Sequence, residues 1–243
     1  MREYLNALQY VLDNGVTKEN RTNEDTLSVF GMQMRFDLQK GFPAVTTKKL
    51  AWKAVVSELL WFIEGSTDEK RLREILYNDR NTEKSTIWTA NSNSDYWINR
   101  AKYEGHVGKI YGYQWRNFNG IDQLKVLADE LKNNPSSRRH ILTAWNPAEL
   151  SEMCLPPCHV LSQFDVTHNK LSCSLYQRSC DLPLGSPFNI ASYSLLTHML
   201  AQCCNLQVGD LIYTLGDAHI YVNQIPGVIA VSYTHLRAHE TRE

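Results

Sequence analysis

No apolar run in this chain approaches the roughly 20 residues that a bilayer-spanning helix needs. Charge of either sign is not in excess: 25 Lys and Arg stand against 26 Asp and Glu, for a formal net charge of -1. No global field therefore draws the chain to nucleic acid or to an anionic membrane, and any anionic ligand must be held by a local cluster of arginines. The six cysteines (154, 158, 173, 180, 203 and 204) contain no Cys-x-x-Cys pair. Cys203 and Cys204 are adjacent, a poor geometry for bonding to each other. Eight histidines show no His-Glu-x-x-His spacing, so no metal is expected. Met1-Arg2-Glu3-Tyr4 is not followed by the apolar core of a signal peptide, and the expected compartment is the cytoplasm. The cysteines other than Cys158 then read as small buried apolar residues. Repeats, low-complexity tracts and linkers are also missing.

What is present is an ordinary globular composition, 43% hydrophobic over 243 residues, enough for one large domain. Residues 2–14 carry apolar side chains at 4, 5, 8, 11 and 12, a helical stripe stopped by Gly15. Residues 26–38 alternate as a strand, and 44–47 suggest a further short extended piece. Residues 51–63 form the most hydrophobic helix candidate. The polar span 66–107 fixes little beyond a helix over 68–77 and an Asn/Ser-rich loop at 89–95. Gly108 to Arg116 is rich in glycine and aromatics, which fits backbone beside a ligand or a packed turn. Helical spacing returns over 121–133 and 188–202, with strands at 140–145, 160–166, 170–177 and 211–214 and a hairpin turn at Thr167-His168-Asn169. Helices and strands are mixed without regular alternation, which favours an α+β fold over a doubly wound sheet.

Two stretches carry chemistry. Leu155-Pro156-Pro157-Cys158-His159 sets a thiol beside an imidazole behind a rigid Pro-Pro step. Tyr176-Gln177-Arg178-Ser179-Cys180-Asp181 follows, so a guanidinium faces the thiol from a neighbouring strand and favours thiolate. Glu58, inside the most hydrophobic helix, is either a satisfied core polar group or a functional acid with a raised pKa.

These stretches and several others resemble the thymidylate synthase family. The matching segments are Arg21-Thr22, Gly41-Phe42-Pro43 with Thr46-Thr47-Lys48, Glu58 to Phe62, Tyr111-Gly112 with Gln114-Trp115-Arg116, and Ser137-Arg138-Arg139. They continue with Leu155 to His159, Tyr176 to Asp181, Pro187 to Tyr193, and Gly216-Asp217 with His219-Ile220-Tyr221. The resemblance implies a large mixed sheet packed against helices, and a homodimer joined sheet to sheet with active sites built from both subunits. It implies one-carbon transfer from 5,10-methylenetetrahydrofolate to carbon 5 of dUMP, with the folate as co-substrate and no metal. Cys158 would attack carbon 6 of the base. Arg21, Arg138, Arg139 and Arg178 would clamp the phosphate, the Arg138-Arg139 pair reaching in from the other subunit. Ser179 would add a phosphate contact, and Gln177 belongs to the same substrate-binding stretch. Asn189 would read uracil, because its amide donates to the exocyclic oxygen and accepts from the ring N–H. Relatives acting on cytosine nucleotides carry aspartate there. His219 and Tyr221 would hold the sugar hydroxyl. Glu58 becomes a general acid/base acting with water, and Tyr111 and His159 support it. Asp181, Trp88, Lys48 and Gly185 would meet the folate.

The chain departs from the family pattern in three places. Asn23-Glu24-Asp25 replaces a Gly-rich loop. Thr89 stands where aspartate is usual, Lys109 where proline is common, and Leu182, Pro183 and Ser186 replace bulkier apolar residues. These polar changes near the folate cavity raise a hydroxymethylase alternative, in which water rather than hydride quenches the methylene intermediate. Finally, the resemblance runs to Gln224, so residues 1–224 are expected to be one family domain. Residues 225–243 read as a foreign, disordered tail in place of a closing lid. That reading carries the further expectation of nucleotide binding with impaired turnover, or a dimer that binds without catalysis.

Overall fold

In the computed structural model, residues 2–19 and 24–240 are described, with side chains at 233 and 235–240 left aside. The helical stripe at the N-terminus forms α1 (Arg2–Asn14), which buries Tyr4, Leu5, Leu8 and Val11. Strands β1 (Val16–Lys18) and β2 (Thr26–Asp37) follow. The segment 44–47 forms no strand; its few residues find no partner edge. Helix α2 (Trp52–Glu64) ends on Gly65 in the left-handed region, and α3 (Glu69–Tyr77) is capped by Asp68 accepting from the Lys70 N–H. The expected loop at 89–95 instead winds into two short helices, α4 (Thr89–Ser92) and α5 (Asp95–Ile98). Helices α6 (Tyr111–Arg116) and α7 (Gln123–Asn133) lead to β3 (Ile141–Thr143). Strands β4 (His159–Thr167) and β5 (Lys170–Asp181), helix α8 (Ser186–Cys203) and strand β6 (Gln207–Tyr221) complete the frame.

The described strands form one sheet in the order β1-β2-β6-β5-β4-β3. Every neighbouring pair is antiparallel except β5 and β6, which run parallel, so the sheet is mixed. The turn between β4 and β5 rests on His168 and Asn169, both at positive φ (49° and 60°), as a two-residue hairpin of matching twist requires. On β5 the odd residues Leu171, Cys173, Leu175 and Gln177 face the core, while Ser174 and Tyr176 stay exposed on the other face. Helix α8 is buried over most of its surface, polar Ser192, Ser194 and Thr197 included, and packs Ile190, Ala191, Tyr193, Leu196 and Leu200 into the core.

Strand β6 is far longer than the 211–214 expected. Gly216 to Tyr221 has loop-like composition, yet β2 and β5 pair with it on both sides, from Thr26↔Tyr221 through Asp181↔His219. Residues 225–240 form α9 (Ile225–Glu240). Val228 is buried in the core, and Ser232 Oγ donates to Gln9 Oε1 on α1 at 2.6 Å. The tail expected to be disordered is thus helical through residue 240. Cys154, Cys173 and Cys180 are buried as expected, and burial pushes each thiol up to about 12. Cys203 is exposed and Cys204 half-buried, a correction to the uniform expectation: α8 ends there and turns them outward. Among the described residues no helix is long and apolar enough to cross a membrane, and no cluster of three His, Cys, Asp or Glu could hold a metal ion.

Candidate active site

The Pro-Pro step positions the thiol through its carbonyls. Proline offers no N–H, but the Pro156 and Pro157 oxygens accept from Arg178 Nη2 and Nε, both at 2.9 Å. The Arg178 backbone N–H donates to the Cys158 carbonyl at 2.9 Å, which locks the loop to β5. These bonds fix the guanidinium so that Nη2 lies 3.8 Å from Cys158 Sγ. The guanidinium also sits 5.6 Å from the Trp145 ring centroid. Positive charge is therefore held against the sulfur by bonds that do not involve it.

Tyr111 joins the thiol loop to the rest of the site. Its hydroxyl accepts from the Cys158 N–H at 2.7 Å. Its ring lies 4.8 Å from His159 and 5.0 Å from Phe62 of α2. The approach of α6 to α2 depends on Gly112, where a Cβ would meet the Phe62 carbonyl oxygen at 2.5 Å. Gly108 precedes it at φ 79°, with a Cβ position only 2.0 Å from the Glu152 carbonyl oxygen, so the turn into α6 admits no side chain. Of the two readings left open for this glycine- and aromatic-rich stretch, the packed one holds for its backbone, while the Tyr111 hydroxyl reaches the site.

The inner wall is a chain of neutral polar groups. Asn189 Nδ2 is 2.8 Å from His159 Nε2. An amide nitrogen only donates, so Nε2 accepts and the imidazole proton sits on Nδ1. Burial pushes His159 down to about 4, and it stays uncharged near neutral pH. Asn189 Oδ1 faces the Tyr213 hydroxyl at 3.5 Å, Tyr213 donates to Gln177 Oε1 at 2.6 Å, and Gln177 Nε2 donates to the Ser179 carbonyl at 2.9 Å. Asn189 projects from the first turn of α8, just past Gly185, whose N–H donates to the Asp181 carbonyl at 2.9 Å.

Glu58 stands in the middle of α2. Trp88 Nε1 donates to its Oε1 at 2.7 Å. Burial raises its carboxyl from 4.5 to about 7, against the Trp88 bond, which favours the charged form. Further out, Asp181 accepts from the Leu184 N–H at 3.0 Å and from Gln224 Nε2 at 3.2 Å. Lys48 donates to the Pro183 and Leu184 carbonyls at 2.9 and 3.1 Å and sits 5.2 Å over Phe188. Its burial pulls its pKa down, while Asp181 holds it up. His219 Nδ1 is 2.9 Å from Asp217, and Tyr221 meets the His219 ring edge-on at 5.3 Å.

The sheet explains this convergence. His159 pairs with Gln177, and Asp181 pairs with His219, so the start of β4 and the ends of β5 and β6 meet at one edge of the core. Arg138 and Arg139 are not there. They are exposed before β3, whose Ile141 pairs with Gln163 of β4. That places them about 25 Å along the strand from Cys158 at roughly 3.3 Å per residue. Arg21 lies outside the described residues. Tyr213, which touches Gln177, Cys180 and Asn189, is a further member of the site; its sequence signal is a tyrosine at a core-facing strand position, which needs a hydroxyl partner.

The family model described as thymidylate synthase matches residues 2–236, twelve residues past Gln224 and into α9. The chain is 50% identical over 241 residues to the thymidylate synthase of Malacoplasma penetrans, covering 94% of this chain and 83% of that protein. It is 47% identical over 240 residues to the bifunctional dihydrofolate reductase-thymidylate synthase of Zea mays, covering 92% of this chain and only 44% of that longer protein. The crystal structure of thymidylate synthase from T4 phage superposes with a TM-score of 0.89 at 46% identity, covering 93% of this chain and 79% of that one. By sequence match and by fold, this chain belongs to the thymidylate synthase family.

Proposed function

We propose that this protein converts dUMP and 5,10-methylenetetrahydrofolate to dTMP and dihydrofolate through a covalent bond between Cys158 and carbon 6 of the base. The observation that carries the reading is the Arg178 guanidinium held 3.8 Å from Cys158 Sγ by the two proline carbonyls. Addition of the thiolate to carbon 6 turns carbon 5 into a nucleophile, and negative charge moves to the exocyclic oxygen. Asn189 is assigned to donate to that oxygen and accept from the ring N–H; the bond of its amide to neutral His159 supports the assignment. Carbon 5 then takes the methylene group. Loss of its proton and release of the folate nitrogen leave an exocyclic methylene, which hydride from the folate reduces to the methyl group. Cys158 leaves as carbon 6 regains its double bond. Glu58, at about 7, is suited to passing protons at neutral pH.

Arg178 and Ser179 on β5, with Arg21, are assigned to the phosphate. Gln177 supports the base-binding wall, and His219 and Tyr221 take the sugar hydroxyl. Asp181, Trp88, Lys48 and Gly185 are assigned to the folate. Arg138 and Arg139, exposed and far from their own thiol, fit a clamp supplied by a second copy. The outer sheet face, with Gln33, Ser174 and Tyr176 exposed, is the surface a homodimer would cover. A cytoplasmic location fits cysteines that serve as buried apolar side chains at 154, 173 and 180. Incubation with dUMP and methylenetetrahydrofolate tests the reading. Dihydrofolate absorbance should rise and dTMP should form. A flat signal with 5-hydroxymethyl-dUMP as product would instead establish the hydroxymethylase.

A further inference from the structure

Glu69 opens α3 and is fully buried. An interior carboxylate is costly unless it is paired and hydrogen-bonded. Arg73, one turn on, supplies the pair: its Nε donates to Oε1 at 3.0 Å and lies 2.7 Å from Oε2, which accepts no hydrogen bond. Glu69 Oε1 accepts from the hydroxyls of Thr86 at 2.7 Å and Thr89 at 2.6 Å. Those two threonines hold the backbone around Trp88. The Thr86 N–H donates to Thr89 Oγ1 at 2.8 Å, and the Trp88 N–H donates to Thr86 Oγ1 at 3.2 Å. Arg73 Nη1 also donates to the Thr82 carbonyl at 2.9 Å, which ties down the preceding loop. Trp88 in turn donates its indole N–H to Glu58 at 2.7 Å. One buried carboxylate on α3 is thus linked, through Thr86, Trp88 and Thr89 at the entry to α4, to the acid in the middle of α2. Thr89, a departure from the family pattern, is a member of this network.

We infer that Glu69 is a positioning residue for the proposed reaction: through Thr86 and Thr89 it fixes Trp88 so that the indole N–H stays on Glu58. This rests on the role given to Glu58 above. The Trp88 bond is the contact that favours the charged form of Glu58 against burial. Tyr193 of α8 interacts electrostatically with Glu58, and Tyr111 of α6 lies 5.9 Å from the Trp88 ring; burial keeps both neutral. The Trp88 indole is the hydrogen-bond donor that the structure sets on Glu58 Oε1. Loosening Trp88 therefore moves Glu58 further toward its protonated form.

The test compares the full chain with Glu69→Gln and with the milder, near-isosteric Thr89→Val. Three readouts are taken: the pH profile of kcat and KM, the Glu58 carboxyl titration by difference infrared spectroscopy against a Glu58→Gln reference, and urea unfolding to verify the fold. The expected result is a fall in kcat of about tenfold for Glu69→Gln with KM for dUMP changed by no more than about twofold. The Glu58 midpoint should rise above that of the wild type, less so in Thr89→Val. If both variants fold and Glu58 titrates as in the wild type, Glu69 is only a structural residue and the inference is overturned. A wild-type chain that forms no dTMP would overturn the proposed function, while the infrared titration would still decide the role of Glu69.

Discussion

Glu58 and His159 should tilt the stability of the protein in opposite directions as pH changes. Burial raises the Glu58 carboxyl from 4.5 to about 7. A buried acid with a raised pKa contributes stability that is full below about 4.5 and lost as pH climbs to about 7, because over that range the unfolded chain has released a proton that the folded state still holds. The gap corresponds to about 3 kcal/mol. Burial lowers His159 from 6.5 to about 4, so its contribution has the reverse sign. It is full above 6.5 and lost as pH falls through about 4, again about 3 kcal/mol. Between these limits the two slopes oppose each other and the wild type conceals both. Substitution exposes them. Glu58→Gln keeps an acceptor for Trp88 and removes the titration, so its stability relative to wild type should improve by about 3 kcal/mol between pH 4.5 and pH 8. His159→Asn should improve relative to wild type as pH falls over the same range. Urea unfolding followed by tryptophan fluorescence, at fixed protein concentration and several pH values, measures both. Other titrating groups cancel in the difference from wild type. A Glu58→Gln difference that stays constant across pH to within about 0.5 kcal/mol would refute the assignment of a displaced carboxyl at position 58.

Arg178→Lys should lower kcat/KM by at least about 100-fold, because a single ammonium nitrogen lacks the planar fork whose Nε and Nη2 reach separate proline carbonyls while Nη2 stays against the sulfur; steady-state kinetics measures it. Asn189→Asp should shift preference from dUMP toward the cytosine nucleotide, since a carboxyl presents a different donor pattern, and competition between the two nucleotides reads it. Mixing inactive Cys158→Ala with an inactive Arg138→Ala/Arg139→Ala double variant should restore activity through hybrid dimers, if the arginine pair serves the other subunit's site. A mixture that stays inactive while sedimentation shows hybrid dimers would refute the clamp in trans.

Elements with strong local periodicity were legible in the sequence: α1, α2, α8 and the β4–β5 hairpin lie within a few residues of expectation. The second half of β6 was not, because its Gly, Asp and His composition resembles a loop and only pairing with β2 and β5 makes it a strand. Cys158, Arg178 and Asn189 were legible as motif residues. Their placement needed the sheet register, which no local pattern encodes. Arg138 and Arg139 are the sharpest case, since the same motif reading that picked them out could not show that they sit at the far end of β4 from the thiol. Glu69 escaped notice because it looks like an ordinary first-turn acid of a helix, and its burial depends on a loop with no periodicity of its own.

The covalent bond to Cys158 is the step on which the rest of the account depends. Incubation with 5-fluoro-dUMP and methylenetetrahydrofolate, followed by proteolysis and mass mapping, tests it most directly. One nucleotide and one folate are expected on the peptide carrying Cys158, and none in Cys158→Ala. An adduct on another cysteine, or dTMP formation by Cys158→Ala, would contradict it.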